Sequence, residues 1–400
     1  MYTLSTHDAI REIPATDWNR LAGNDSPFLR HEFLAAMERH GCVGEALGWI
    51  PHHLALRDAA GTLVAAAPCY IKFNSYGELV FDWAWADAYQ RQGLAYYPKL
   101  VVASPYTPAT GPRLLTGETP KREEYARALA DGAVRVAERL GVSSLHWLFT
   151  TRPETDLLET RGLLRRVGCQ FHWTNPGYQA FDDFLATFTA EKRKKVKRER
   201  RRVQEAGVRI VRRRGDAVSE AEWVRFHWLY RDTFDKRGGL PTLTLPFFQE
   251  IGETMGSDLL LVFAYHGQTQ GKDAIVAAAF NLIGEHALFG RHWGCSKEFH
   301  SLHFEACYYQ GLDYCIENGL TRFEPGAQGE HKVSRGFLPT PTWSAHWIAD
   351  PRFRAAIARF LTNETEGMTE YHEEMHGHSP YRAPPAPPDP SVLGNLNPRA

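Results

Sequence analysis

Four hundred residues exceed what one hydrophobic core holds, so the length favours two domains. With 43% hydrophobic and 23% charged residues the composition is that of an ordinary globular chain, and a formal net charge of -1 excludes a global field toward nucleic acid or anionic lipid. The N-terminus has no basic segment followed by an apolar run, and no apolar stretch approaches the roughly 20 residues that span a bilayer, so the expected location is the cytoplasm. The six cysteines are scattered without a paired motif and read as reduced thiols.

In chain order, Trp18–His40 reads as two helices around a turn at Gly23–Pro27. His53–Arg57 and Thr62–Ala67 flank a tight turn and predict a hairpin, and Gly77–Asp82 reads as a further strand. Tyr89–Leu100 and Ser104–Arg113 form a loop rich in Tyr, Pro, Gly and basic residues. A helix over Lys121–Leu140 and a strand over Ser144–Phe149 complete a first lobe, residues 1–175.

The second lobe, 176–382, repeats this order in outline. It opens with a helical region, Phe181–Ala206, whose basic part covers 191–206; a strand (Val208–Arg213) and a helix (Glu220–Phe234) follow. A hairpin is predicted from Leu259–Tyr265 and Ile275–Phe280 around a turn at Gly267–Gly271. Then come a strand at Glu285–Arg291, a helix over Leu302–Glu317 and a strand at Thr321–Glu324. The tail 383–400 is proline-rich and expected to be extended and mobile.

Three blocks carry a resemblance: Leu288–Gly294 (LFGRHWG), His303–Tyr309 (HFEACYY), and Phe323–Lys332 (FEPGAQGEHK) with Arg335–Phe337. Together with Tyr96–Leu100 (YYPKL) and Pro105–Pro108 they resemble the Fem-like predicted N-acyltransferases of the GNAT superfamily, also called peptidoglycan biosynthesis or recognition proteins. The resemblance implies an α/β fold of two tandem GNAT-like lobes with mixed sheets facing across a cleft. It also implies a donor carried as acyl-CoA or aminoacyl-tRNA and an amine acceptor such as a cell-wall precursor. No long antiparallel coiled-coil arm of the Fem type is visible; the short basic helix stands near its place.

Direct acyl transfer to an amine needs a proton acceptor, a positioned donor and stabilisation of the developing oxyanion, but no covalent nucleophile. The segment from Glu324 to Phe337 packs Glu330, His331, Lys332 and Arg335 among glycines, and resembles the lysine-bearing segment of Fem transferases; read alone, it is also compatible with a solvated turn. Glu305 or Glu330 is the expected base, with His303 or His331 as the alternative, and Lys332 or Arg335 the group that neutralises the donor carbonyl. His303 and Glu305 open a helix whose N-terminus attracts anions, although Ser296–Ser301 lacks the glycines of a phosphate loop. Equally, Glu305 would simply favour its own helix N-terminus.

Nine of the eleven residues Lys192–Arg202 are basic, and Lys194, Lys195 and Arg198 are the expected phosphate contacts, to coenzyme A, tRNA or a nucleotide-linked precursor. Tyr97, Lys99, Arg113, Arg291 and Trp293, with Arg335, are the expected substrate contacts. His372, His376 and His378 beside Glu373 have loose metal-like spacing, but a solvated helix end explains them and no metal is expected. The competing class is a non-catalytic protein that uses the same scaffold to recognise a cell-wall precursor or nucleic acid.

Overall fold

A computed structural model describes residues 2–267, 274–327 and 329–383. The proline-rich tail from 384 onward, most of the turn expected at Gly267–Gly271, and Gln328 lie outside the described residues.

Strands in the first half are β1 (Thr3–His7), β2 (Trp49–Pro51), β3 (His53–Arg57), β4 (Leu63–Ala67), β5 (Cys69–Lys72), β6 (Lys99–Val102) and β7 (Ser144–Thr150). Those that follow are β8 (Leu164–Thr174), β9 (Val208–Arg214), β10 (Leu259–His266), β11 (Ile275–Ile283), β12 (Ala287–Cys295), β13 (Arg322–Glu324) and β14 (Leu338–Ile348).

Among the described residues the chain divides into two compact units, the first of residues 2–169 with 341–371 and the second of residues 170–340 with 372–383. This corrects the contiguous division expected at 175. The reason is β14, whose Trp343–Ile348 pair with Thr150–Ser144 of β7 and return the chain to the first unit.

In the first unit an antiparallel sheet β1-β3-β4 accompanies the strand order β2-β5-β6-β7-β14, in which only the β6–β7 pair is parallel. A parallel pair needs a crossover, and the helix Arg122–Leu140 supplies it. Its Ala126, Leu129, Ala133 and Val136 recur at helical spacing and bury against Leu54, Leu100, Leu145 and Trp147. The helix stops at Gly141, which takes the left-handed conformation (φ 65°).

The second unit has the order β8-β13-β12-β11-β10-β9, again with one parallel pair, β12–β13, bridged by helical residues Leu302–Glu317. A long helix, Glu220–Arg237, starts at a Ser219–Glu222 capping box and lies on β12. The approach is close because Gly294 has no side chain: a Cβ there would sit 2.3 Å from the Leu229 carbonyl oxygen. Trp223, Phe226 and Tyr230 of this helix interlock with Phe248 and Phe280.

Gly77–Asp82 is not a strand. Leu79 takes φ 63°, and Glu78 and Asp82 turn inward to Lys99, so the segment is shaped by buried charge rather than by a ladder. The strand lies earlier, at β5, and a helix over Trp83–Arg91 occupies the start of the region read as loop. Phe181–Ala206 is two helices, Phe181–Ala186 and Ala190–Glu205.

Candidate functional site

Within the second unit a cavity of about 560 Å³ opens between β12, the Glu220–Arg237 helix, the start of the Leu302–Glu317 segment and the loop that follows β13. Four local features of the sequence build it. Phe280 of β11 pairs with His292 whereas Asn281 pairs with Gly290, so Arg291 is an extra residue in β12, and this bulge carries Arg291 and Trp293 to the cavity wall. Gly290 lets the next loop come close, since a Cβ at that position would lie 3.1 Å from Pro325 Cα. The helical segment after Leu302 widens into a π-turn over Glu305–Tyr309, which brings Cys307 and Tyr308 into the wall. Finally Gly326 and Gly329 take positive φ and turn the chain into the short 3₁₀ helix Glu330–Arg335, which contributes His331 and Lys332.

His303 sits among Trp293, Tyr308 and His331, with ring centroids 5.4, 5.3 and 6.1 Å away. Burial, reinforced by His331, Lys332 and Arg335, lowers its pKa to about 4. His331 is within 2.8 Å of the Tyr308 hydroxyl, and burial followed by Arg335 and Lys332 also pushes it below the usual imidazole value. Both imidazoles are therefore neutral near pH 7. Burial pushes the Cys307 thiol up, so it is not a thiolate.

Lys332 is 2% exposed, and its ammonium donates to the Gly326 carbonyl at 2.6 Å. Burial lowers its pKa from 10.5 to about 8. Below about pH 8 folded and unfolded chains both carry the proton and the folded one bears the desolvation; between about 8 and 10.5 only the unfolded chain keeps it, so stability rises with pH across that window. Lys332→Met should therefore stabilise the protein at pH 7 by roughly 2 kcal/mol, the relieved desolvation less one hydrogen bond. Urea denaturation at pH 7 and at pH 10.5 checks this, and the gain should vanish at the higher pH.

Other sequence candidates are committed elsewhere. Glu305 does not line the cavity: its carboxylate accepts from Arg200 at 3.1 and 3.2 Å and from Gln310 at 2.7 Å, which ties the basic helix to the π-turn. Arg335 forms a two-pronged pair with Glu199 at 2.7 and 3.1 Å, lies 3.3 Å over the Phe304 ring and donates to the His331 carbonyl at 2.7 Å. It positions the loop rather than facing the cavity. Glu330 is exposed at the start of the 3₁₀ helix.

Three expected substrate contacts belong to the first unit. Arg113 is buried and directed at the carbonyls of Leu148, Pro112 and Ala109. Lys99 is buried and donates to Glu78 at 2.8 Å, to Ser75 at 2.9 Å and to Asp82, and the Tyr97 hydroxyl meets Ser75 at 2.7 Å.

The basic helix Ala190–Glu205 turns Val196, Glu199 and Val203 inward. Lys194 and Arg198 are exposed, Lys195 is half-buried, and none of the three makes an ion pair among the described residues. Tyr308, Tyr230, Asn281 and Arg237 were not singled out by the sequence, yet all line the cavity. Tyr308 lay inside the block that carried the resemblance, but nothing in its spacing marks the π-turn that aims it.

No helix among the described residues is long and apolar enough to cross a membrane. The chain is similar in fold to FemX, at 12% identity over 90% of this chain and 100% of that one, with a TM-score of 0.54. It is also similar to the C-terminal DUF2156 domain of a lysylphosphatidylglycerol synthetase-like protein from Agrobacterium fabrum, at 9% identity over 87% and 95%, TM-score 0.52. A tandem GNAT protein from the clavulanic acid biosynthesis pathway aligns at 11% identity over 88% and 99%, TM-score 0.46. No curated protein matches the sequence. At such identities the likeness is one of fold, and the fold is the tandem GNAT-like arrangement of mixed sheets that the sequence blocks implied. The FemAB-like family model, described as peptidoglycan biosynthesis/recognition, matches residues 9–383, and the chain belongs to that family.

Proposed function

We propose that the protein is an acyltransferase that moves an acyl group from acyl-CoA or aminoacyl-tRNA to the amine of a cell-wall precursor or an amino-bearing metabolite. The observation that carries this reading is the cavity of the second unit, which sets a neutral imidazole, a phenol and a buried ammonium around one space. Family membership supports the same reaction class.

In this reading the acceptor amine attacks the donor carbonyl directly. Tyr308 takes the amine proton as its own passes to His331, leaving an imidazolium and a neutral phenol. Lys332 holds one proton on the Gly326 carbonyl and offers the others to the oxyanion. Collapse of the tetrahedral intermediate breaks the bond to the thiol or tRNA oxygen, and that leaving group recovers the proton from His331. Glu305 and Arg335 act as positioning residues through Arg200 and Glu199. Lys194 and Arg198, which are exposed, and the half-buried Lys195 supply contacts for the donor's phosphates.

Transfer assays with an acyl-CoA series and with aminoacyl-tRNA test the reading. His331→Ala should lower kcat roughly 100-fold with donor affinity unchanged. The rate should fall above about pH 8, where Lys332 loses its charge. A tRNA donor should also show binding that weakens steeply with salt and with Lys194→Ala or Arg198→Ala. Donor binding without turnover in any pairing would leave a recognition module and end the proposal.

A further inference from the structure

Strand β11 reads IVAAAFNLI, and Asn281 is its one polar residue. The strand lies inside the sheet between β10 and β12, and Asn281 is 2% exposed. A carboxamide is poorly suited to that place, because asparagine is disfavoured in strands and a buried polar atom without a partner costs free energy. Only half of this one is answered from within the protein. Its Nδ2 donates to the Leu260 carbonyl at 3.1 Å, and this bond fixes which way the amide faces, since Oδ1 turned to the same carbonyl would be repelled. Oδ1 receives no hydrogen bond among the described residues. Beside it is Gly290 of β12: a Cβ at that position would come within 3.4 Å of Oδ1 and cover it, and glycine leaves the oxygen open. Asn281 and Gly290 both line the cavity of the second unit, with the rings of Tyr230, Phe280 and Trp293.

We propose that Asn281 Oδ1 receives the N–H that stays on the acceptor nitrogen during acyl transfer, and that the acceptor is therefore a primary amine. The inference rests on the acyl-transfer reading and names the substrate class for that same site. A neutral primary amine brings a lone pair and two N–H bonds. On attack the lone pair forms the bond to the donor carbonyl carbon, whose π pair moves onto oxygen. One N–H proton passes to Tyr308 as the phenol proton passes to His331. The oxygen's pair then reforms the carbonyl, and the thiol or tRNA oxygen leaves with its bonding pair and takes the proton from His331. The second N–H survives every step into the product amide, and Oδ1 holds it throughout. A secondary amine gives its single N–H to the base, a hydroxyl gives its O–H, and either leaves Oδ1 unanswered. A site built to accept a hydrogen bond discriminates against analogues that lack the donor.

Product-type probes test this on the full chain without any donor, each with a benzyl group for the ring-lined wall. N-benzylacetamide keeps the N–H, benzyl acetate has an oxygen in its place, and N-benzyl-N-methylacetamide is the product of a secondary amine. Calorimetry should show saturable binding of the first, about tenfold tighter than of the other two, the scale of one hydrogen bond. Asn281→Leu, similar in volume, should erase that difference while still unfolding cooperatively. Should the variant not fold, the wild-type ranking of the three probes decides alone. Equal binding of amide and ester, silence of the amide, or a preference that survives in Asn281→Leu would overturn the proposal, the last assigning the side chain to the fold through Leu260. Transfer assays separate the two readings. Amide-selective binding that needs Asn281, with no transfer in any pairing, sinks the enzyme and keeps the N–H site; turnover of N-methylbenzylamine or benzyl alcohol as readily as of benzylamine keeps the enzyme and overturns the site.

Discussion

Glu199→Ala should destabilise the second unit by about 3–5 kcal/mol, the range for removing one partner of a buried ion pair. Glu199 is the acid inside the most basic stretch of the chain, and it faces inward, where both guanidinium prongs of Arg335 and the Tyr309 hydroxyl meet its carboxylate. Without it the Arg335 charge stays buried beside the Phe304 ring face, the His331 carbonyl and the Ser334 hydroxyl, with no carboxylate to answer it. Because Arg335 also holds the His331 carbonyl, the loss should reach the cavity. Urea denaturation measures the first effect. Binding of a cavity ligand at a temperature where the variant remains folded measures the second, and a stability change below 1 kcal/mol, the scale of an exposed pair, would show that the pair is solvated.

Lys99→Met should cost a similar amount, about 3–5 kcal/mol, and the loss should depend on pH. Lys99 answers two buried carboxylates. Asp82 is held down to about 2, where burial is outweighed by Lys99 and His146, whereas for Glu78 burial prevails over Lys99 and lifts the carboxyl to about 7. With the cation removed, burial raises both groups above their unfolded values, so folding takes up protons and stability falls as pH rises through the carboxylate range. The variant should therefore lie closer to wild type near pH 4.5 than at pH 8, and denaturation series at the two values would decide; an equal loss at both would mean that Lys99 contributes packing rather than charge.

What the sequence made legible was periodicity and motif. The Lys121–Leu140 helix, the β3–β4 hairpin and the β10–β12 run follow from spacing that one strand face or helix stripe imposes. The block around His331 and Lys332 was recognisable because its glycines and charges are unusual together. Glu78 and Asp82 misled, since alternation reads the same whether a charged side chain meets water or a buried lysine. Glu305 and Arg335 looked catalytic for a related reason: the chain shows a charge but not its partner, and those partners, Arg200 and Glu199, stood far off in sequence. The π-turn that presents Tyr308 is a matter of one shifted hydrogen-bond register, which leaves no mark in residue type.

The late return of the chain to the first unit sets the order of events at the ribosome. His146 of β7 meets His346 of β14 across 200 residues, with their Nδ1 atoms 2.6 Å apart. Synthesis proceeds from the N-terminus at about 5–20 residues per second, so β7 waits on the order of ten seconds for its neighbour. During that wait its edge presents open backbone groups, the kind of surface that pairs with foreign strands and that chaperones cover. Domain-by-domain maturation is thus closed to the N-terminal portion of this protein, and a nascent chain halted before residue 341 carries a half that has been made but not finished.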